Sequence, residues 1–204
     1  ILLLPLYEIN YKIRIIMQMD KKHQVRIIGG SLKGKSLPVL DLDGLRPTPD
    51  RVRETLFNWI GGKIENSKVL DLFAGSGALG IEALSRGASR VTLIEKSVKN
   101  ANNLNNITKN FVKDQQRINV INIDALDFLS QNKEKFDIVF LDPPYKSDLL
   151  KTVLNKLLEH IHNESIVYVE MMSTHKENIV GYEKIKEDVA GQVKYAIWKK
   201  SSFL

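Results

Sequence analysis

Apolar positions along this chain follow two rhythms. Short, near-continuous apolar runs occur at 68–73, 90–94, 118–122, 136–141 and 166–170. Between them, at about 77–86, 97–111, 125–131 and 148–160, apolar residues recur at helical spacing. Apolar runs without polar alternation predict strands covered on both faces, and their alternation with helices predicts an α/β fold on a mostly parallel sheet. Two further strands are predicted at 179–187 and 193–198. The chain between them is too short for a crossover, so they pair antiparallel and a seven-stranded sheet ends in a hairpin.

The N-terminal part reads differently. Residues 25–28 predict a strand, Gly29-Gly30 a turn, and 32–39 a returning strand, which together make a small β-hairpin extension. Residues 41–50 are loop. Thr48 followed by Pro49 predicts a helix start, the hydroxyl capping and the proline at the first helical position. The helix 50–60 puts Val52, Leu56, Trp59 and Ile60 on one side and ends at Gly61-Gly62. The expected organisation is an upstream extension at 1–18, with Met17 or Met19 as the native start, a basic hairpin at 19–45 and the main domain at 46–204. The apolar start is broken by Pro5 and has no small-residue cleavage site, so it is a poor secretory signal.

Composition narrows the function classes. The 204 residues contain no cysteine, which excludes disulfides and thiolate metal sites and fits a reducing, cytoplasmic setting. The four histidines, His23, His160, His162 and His175, show no metal-ligand spacing, so no metal is expected. No apolar run is long enough for a membrane span. A net charge of +6 points weakly to a polyanionic partner, and Lys21, Lys22, Arg26, Lys33 and Lys35 concentrate it in the hairpin. The asparagine-rich segment 97–111 is a weakened helix.

The first strand of the sheet runs into "VLDLFAGSGALG", where Gly75, Gly77 and Gly80 satisfy G-x-G-x-x-G between strand and helix. Such glycines permit a tight turn and let a ligand approach the exposed N–H groups of the helix start. Alone the pattern is weak. Glu95 sharpens it, closing the second strand 20 residues past Gly75, where an acid accepts hydrogen bonds from ribose hydroxyls. Asp71, four residues before Gly75, opposes a diphosphate but suits a cation. S-adenosylmethionine carries an ammonium and a sulfonium. Asp71 as a buried acid satisfied by loop amides is the structural alternative. Asp124 closes the third strand, placed either to meet an adenine amino group or to cap the next helix.

The fourth strand ends in "LDPPY". Pro143 and Pro144 fix φ and remove two donors, so Asp142 and nearby carbonyls form an acceptor cluster suited to an exocyclic amino group. Tyr145 offers a face on which an extruded base can stack. Acceptors around such an amine free its lone pair for in-line attack on a methyl sulfonium. A plain strand-ending turn explains an aspartate and one proline, but not the whole run.

Together "VLDLFAGSGALG", "IEK" and "LDPPY" resemble a Rossmann-like class I, S-adenosylmethionine-dependent amino-methyltransferase. "RIIGGSLKGKSL" and "RPTPDRVRETLFNWI" resemble the RsmD family, and the resemblance covers about residues 25–198. It implies methylation of the N2 amino group of guanine 966 in 16S ribosomal RNA, with the small ribosomal subunit or an assembly intermediate as partner; a monomer is the expected form. It also implies a cofactor site lined by Asp71, Phe73, Gly75, Gly77, Glu95, Asp124 and Ala125, and a base site at Asp142, Pro143, Pro144 and Tyr145. Arg26, Lys33, Lys35, Arg46, Arg51 and Arg53 are expected to meet RNA phosphates. Leu32 departs from the family, which usually has an aromatic there.

Other classes remain open on the residues alone. A nicotinamide-dependent oxidoreductase would use the glycine loop but leaves Asp-Pro-Pro-Tyr without a role. A non-catalytic RNA-binding assembly factor would need only the basic patch. Adenine N6, cytosine N4 and a glutamine amide share the Asp-Pro-Pro-Tyr logic.

Overall fold

The computed structural model describes residues 24–39, 48–144, 149–174 and 179–201. Nine strands are described: β1 Gln24–Arg26, β2 Ser36–Pro38, β3 Lys68–Asp71, β4 Arg90–Ile94, β5 Ile118–Ile121, β6 Phe136–Leu141, β7 Ile161–Met172, β8 Tyr182–Ala190 and β9 Val193–Lys200. The α-helices are α1 Asp50–Ile60, α2 Ala78–Ser85, α3 Val98–Phe111, α4 Ala125–Gln131 and α5 Leu149–Leu157. β1 and β2 form a separate antiparallel pair. The other seven strands make one sheet in the order β5-β4-β3-β6-β7-β9-β8. It is parallel from β5 to β7, and β9 pairs antiparallel with both β7 and β8.

The chain adds strands outward from β3 through β4 to β5, then returns to place β6 on the other side of β3. Strand order therefore reverses between β3 and β6. At such a point the connections leave in opposite directions, and a crevice opens beyond the carboxyl ends of the strands.

Both faces of the parallel strands are buried. On one, Val69, Ile138, Phe140 and Tyr168 pack with Leu56 and Phe57 of α1, Ile81 of α2 and Leu104 of α3. On the other, Leu70, Val139 and Leu141 pack with Phe128 and Leu129 of α4 and Val153, Leu154 and Leu157 of α5. Val25, Ile27, Leu37 and Val39 of the N-terminal hairpin belong to the first of these cores.

Several boundaries differ from the sequence expectation. β3 stops at Asp71 because the chain turns there into the glycine loop. β7 begins at Ile161, well before 166, because α5 ends at Leu157 and Ile161 already registers with Phe136. The polar stretch His162–Glu164 sits at an irregularity in that pairing and hid the strand start. β8 is shifted to 182–190: it is an edge strand exposed from Glu183 to Val189, so it has no apolar rhythm to mark its ends. The returning strand of the hairpin is only Ser36–Pro38, because Gly30–Leu32 form a 3₁₀ turn. Thr48 does not cap α1. Its hydroxyl donates instead to Glu170 across the molecule, at 2.7 Å.

Candidate active site

The glycine loop is built by its backbone. Gly75 and Gly77 have φ of 51° and 75°, in the left-handed region where a side chain is strained. Gly77 precedes α2 directly, so the first N–H groups of that helix face the crevice. Gly80 has a different reason. A Cβ there would lie 2.2 Å from Leu93 Cδ2 and 3.2 Å from Asp71 Oδ2. That closeness lets the Gly80 N–H donate to Asp71 Oδ2 at 3.0 Å.

Glu95 ties the loop to the end of β4. Its Oε2 accepts from Gly75 N at 2.9 Å and its Oε1 from Ser97 N at 2.7 Å. The carboxylate is half-buried and pre-oriented at the crevice rim. Asp124 caps α4 through Leu126 N at 2.9 Å and pairs with Lys96 Nζ at 3.0 Å. The Lys96 hydrogen bond, then the Leu126 amide, hold its carboxyl below the usual range. Phe73 is half-buried and Ala125 buried beside these groups.

Three carboxyl groups converge at the switch point. Asp71 ends β3, Asp142 follows β6, and Glu170 lies near the end of β7. Asp71 registers with Phe140, Phe140 with Tyr168, and Leu141 with Val169. Strand alternation therefore places Asp71, Asp142 and Glu170 on the same face of the sheet. Asp71 and Glu170 are each 3% exposed, and Asp142 is half-buried. Burial pushes the Asp71 carboxyl up to about 7, with further repulsion from Glu95 and Glu170 and opposing amide bonds from Gly80 and Phe73. Asp142 is pushed well up by burial, then by the charges of Glu170 and Asp71. Glu170 is raised by burial, against the hydroxyls of Thr48 and Tyr168, which donate to its Oε1 at 2.7 and 2.9 Å. Among the described residues no lysine or arginine pairs with any of the three. Buried negative charge of this kind is costly without a positive partner.

The remaining candidates divide. Pro143 is buried and Pro144 exposed behind Asp142. Tyr145 and Arg46 lie outside the described residues, as do Lys21 and Lys22. Arg51 is exposed on the first turn of α1, near the crevice end of the sheet. Arg26, Lys33 and Lys35 are exposed on the hairpin. They do not line the crevice. The hairpin turn packs against the far end of α2, where Ser85 Oγ accepts from Leu32 N at 2.8 Å and donates to Gly29 O at 2.5 Å. An eight-residue helix is roughly 12 Å long, so the hairpin charges run down the flank.

Arg53 is a correction. It is fully buried, not available to a phosphate. Its Nη2 donates to Arg26 O at 2.7 Å and to Asp50 Oδ1 at 2.6 Å, and its Nη1 lies 3.6 Å from Glu82 Oε2. Glu82 in turn accepts from Ile28 N at 2.8 Å and Arg86 Nε at 2.7 Å. The same network joins the hairpin, α1 and α2. Glu170, Thr48 and Tyr168 were missed by sequence reasoning. The signal available was a single acid inside the apolar run "IVYVEMM", on the strand after the Asp-Pro-Pro-Tyr strand.

A cavity of about 520 Å³ lined by Arg90, Gln115, Asn119, Lys133 and Glu134 opens elsewhere, at the amino ends of β4 to β6. It is remote from the three carboxyls. Among the described residues, His160 is buried against Asn132 and His162 is exposed.

The family model described as conserved hypothetical protein 95 matches residues 25–199. Ribosomal RNA small subunit methyltransferase D of Haemophilus influenzae is 41% identical over 192 residues, covering 90% of this chain and 98% of its own. The protein of the same name from Escherichia coli is 42% identical over 188 residues, covering 88% and 91%. A solved structure titled as the putative methyltransferase yhhF of Escherichia coli superposes with a TM-score of 0.77 at 41% identity, covering 87% of this chain and 98% of that one. A match of this extent, over the hairpin and the sheet alike, means that the chain belongs to the conserved hypothetical protein 95 family, the RsmD family of small-subunit ribosomal RNA methyltransferases.

Proposed function

We propose that this protein transfers a methyl group from S-adenosylmethionine to the N2 amino group of guanine 966 in 16S ribosomal RNA, on the small subunit or an intermediate of its assembly. The observation that carries the reading is the convergence of Asp71, Asp142 and Glu170 at the switch point, beside a glycine loop. The family membership supplies the RNA and the base.

The residues fit the cofactor. Asp71 and the first amides of α2 suit its ammonium and carboxylate ends, and Glu95 its ribose hydroxyls. Asp124 stands at the adenine end, Phe73 and Ala125 beside it. When bound, S-adenosylmethionine supplies an electrophilic methyl group.

The chain's own groups do the rest. Asp142 accepts a hydrogen bond from the target amine and holds it against free rotation. Its charge offsets the positive charge that grows on nitrogen during attack. Pro143 and Pro144 stiffen the backbone that carries it. Arg26, Lys33, Lys35 and Arg51 hold the RNA by its phosphates, with the flank of α2 setting how far the strand extends from the crevice. Tyr145 stacks on the extruded base.

Asp142→Ala tests the reading. Tritiated-methyl transfer to small subunits should fall at least about 100-fold, while the melting shift given by S-adenosylhomocysteine stays close to wild type. Full transfer in that variant would overturn the role of Asp142. A nicotinamide enzyme is disfavoured because its diphosphate would face the buried acids. A melting shift with NAD and none with S-adenosylhomocysteine would reverse that judgement.

A further inference from the structure

Glu170 takes no step in the chemistry above, yet side-chain hydroxyls from two elements hold it in the crevice. It is buried, it follows Val169, the register partner of Leu141, and it therefore stands level with Asp142 on the neighbouring strand. Two hydroxyls, from Thr48 and Tyr168, converge on its Oε1. Both are donors, so they hold that oxygen as an acceptor. The other oxygen, Oε2, can only accept as well while the group is ionised. A buried acid fixed by two donors from different elements is more than an ordinary core residue requires.

Base edges differ in what they present beside the reactive amine. Guanine offers the N2 amino group and N1–H, both donors. Adenine offers its N6 amino group beside N1, an acceptor. Cytosine offers its N4 amino group beside N3, also an acceptor. A site with one acceptor accommodates all three. A site with two adjacent acceptors satisfies guanine and leaves the other two with facing lone pairs.

We infer that Glu170 is the specificity-determining residue of this site, accepting the N1–H of the target guanine beside Asp142 and thereby excluding amines with no ring N–H donor beside them. The inference rests on the proposed methyl transfer and adds the choice of base to it. Thr48 is the positioning residue: its hydroxyl fixes which oxygen of Glu170 is already engaged. This gives part of the "RPTPDRVRE" stretch a function apart from holding the RNA backbone.

The test uses 2,6-diaminopurine, which keeps the 2-amino group of guanine but carries an unprotonated acceptor at N1. Small subunits are reconstituted with 16S RNA bearing guanine or 2,6-diaminopurine at the target position, and kcat/KM for tritiated-methyl transfer is measured on each. The wild-type protein should prefer guanine by about 100-fold or more, as sites that read a hydrogen-bonding edge do. In Glu170→Gln, Thr48 and Tyr168 keep the amide oxygen where Oε1 was, and the NH2 replaces an acceptor with a donor. Transfer to guanine should fall and transfer to 2,6-diaminopurine rise, shifting the ratio at least tenfold. The melting shift with S-adenosylhomocysteine should persist.

Equal losses on both substrates would mark Glu170 as merely structural and overturn the inference. So would a wild-type protein that accepts both bases alike, a result that needs no variant. If Glu170→Gln does not fold, Thr48→Val carries the test and should narrow the guanine preference several-fold; an unchanged ratio there overturns it. Absence of transfer by the wild-type protein to either substrate would instead sink the methyl-transfer reading, and the inference with it.

Discussion

Asp71 sets the clearest single-residue expectation. Its carboxyl is raised to about 7 by burial, so below that pH it holds a proton in the free protein. A cationic ligand binds the ionised form, and binding must then expel the proton. Affinity for S-adenosylmethionine should therefore climb as pH rises from 5.5 to 7, by at most about tenfold per unit, and level off above. Calorimetric titration across that range checks the slope, and Asp71→Asn should flatten it. The stability sign runs the other way. Between the unfolded carboxylate value near 4 and about 7 the folded protein retains a proton that the unfolded chain has lost. This group's contribution to stability accordingly declines as pH rises through that window. Ligand-free Asp71→Asn should melt no lower than wild type at pH 8, despite weaker cofactor binding. Asp71, Glu95 and Asp142 were readable because each ends a strand in a motif with fixed spacing. Glu170 was not, because its meaning depends on β7 lying beside β6, which no local pattern states.

Helix α2 carries the element-scale logic. Its first turn is the glycine loop, and its last turn is the seat of the hairpin. Gly30 has φ of 74°, and a Cβ there would come within 1.9 Å of the Ser85 carbonyl oxygen. Backbone cannot give way as a side-chain tip can. Gly30→Ala should cost about 3 kcal/mol through strain and overpacking, read as a lowered denaturation midpoint. Cofactor affinity should survive to the extent that the fold does. Arg53→Ala should cost a comparable amount, about 2–5 kcal/mol, because it empties a fully buried site and takes the donor from the Arg26 carbonyl, while Glu82 keeps Arg86. Sequence spacing placed α1 at its observed bounds, Asp50–Ile60, yet it misassigned both Thr48 and Arg53. Local rules read a Thr-Pro pair as a cap and an arginine near a basic patch as a phosphate ligand. Each side chain instead commits its polar group to a partner distant in sequence, Glu170 for one and Arg26 and Glu82 for the other.

At the scale of the whole molecule, the α/β order and the closing hairpin followed directly from apolar rhythm, since buried parallel strands announce themselves as apolar runs. The strand order β7-β9-β8 did not, because β8 is an edge exposed along nearly its whole length and carries no apolar rhythm to place it. The same scale governs RNA binding. Arg26, Lys33 and Lys35 stand off from the crevice, so each should contribute electrostatically rather than by base choice. Replacing Lys33 and Lys35 with alanine should weaken RNA binding on every sequence alike. The slope of log affinity against log salt should fall by about one for each phosphate no longer neutralised, and filter binding at several salt concentrations measures it.

The hairpin's apolar side chains complete the core under β3 and β6, while its outer side carries the cationic residues. Anchor and tool are thus one piece of chain. A version trimmed to residue 40 onward should not survive as a free catalytic half: it would bare Leu56, Ile81 and their neighbours to water and clump. Transplanting a foreign hairpin onto this sheet should succeed only when the donor brings matching partners for Glu82, Ser85 and Arg86, whereas exchanging the exposed lysines one by one should leave the arm seated.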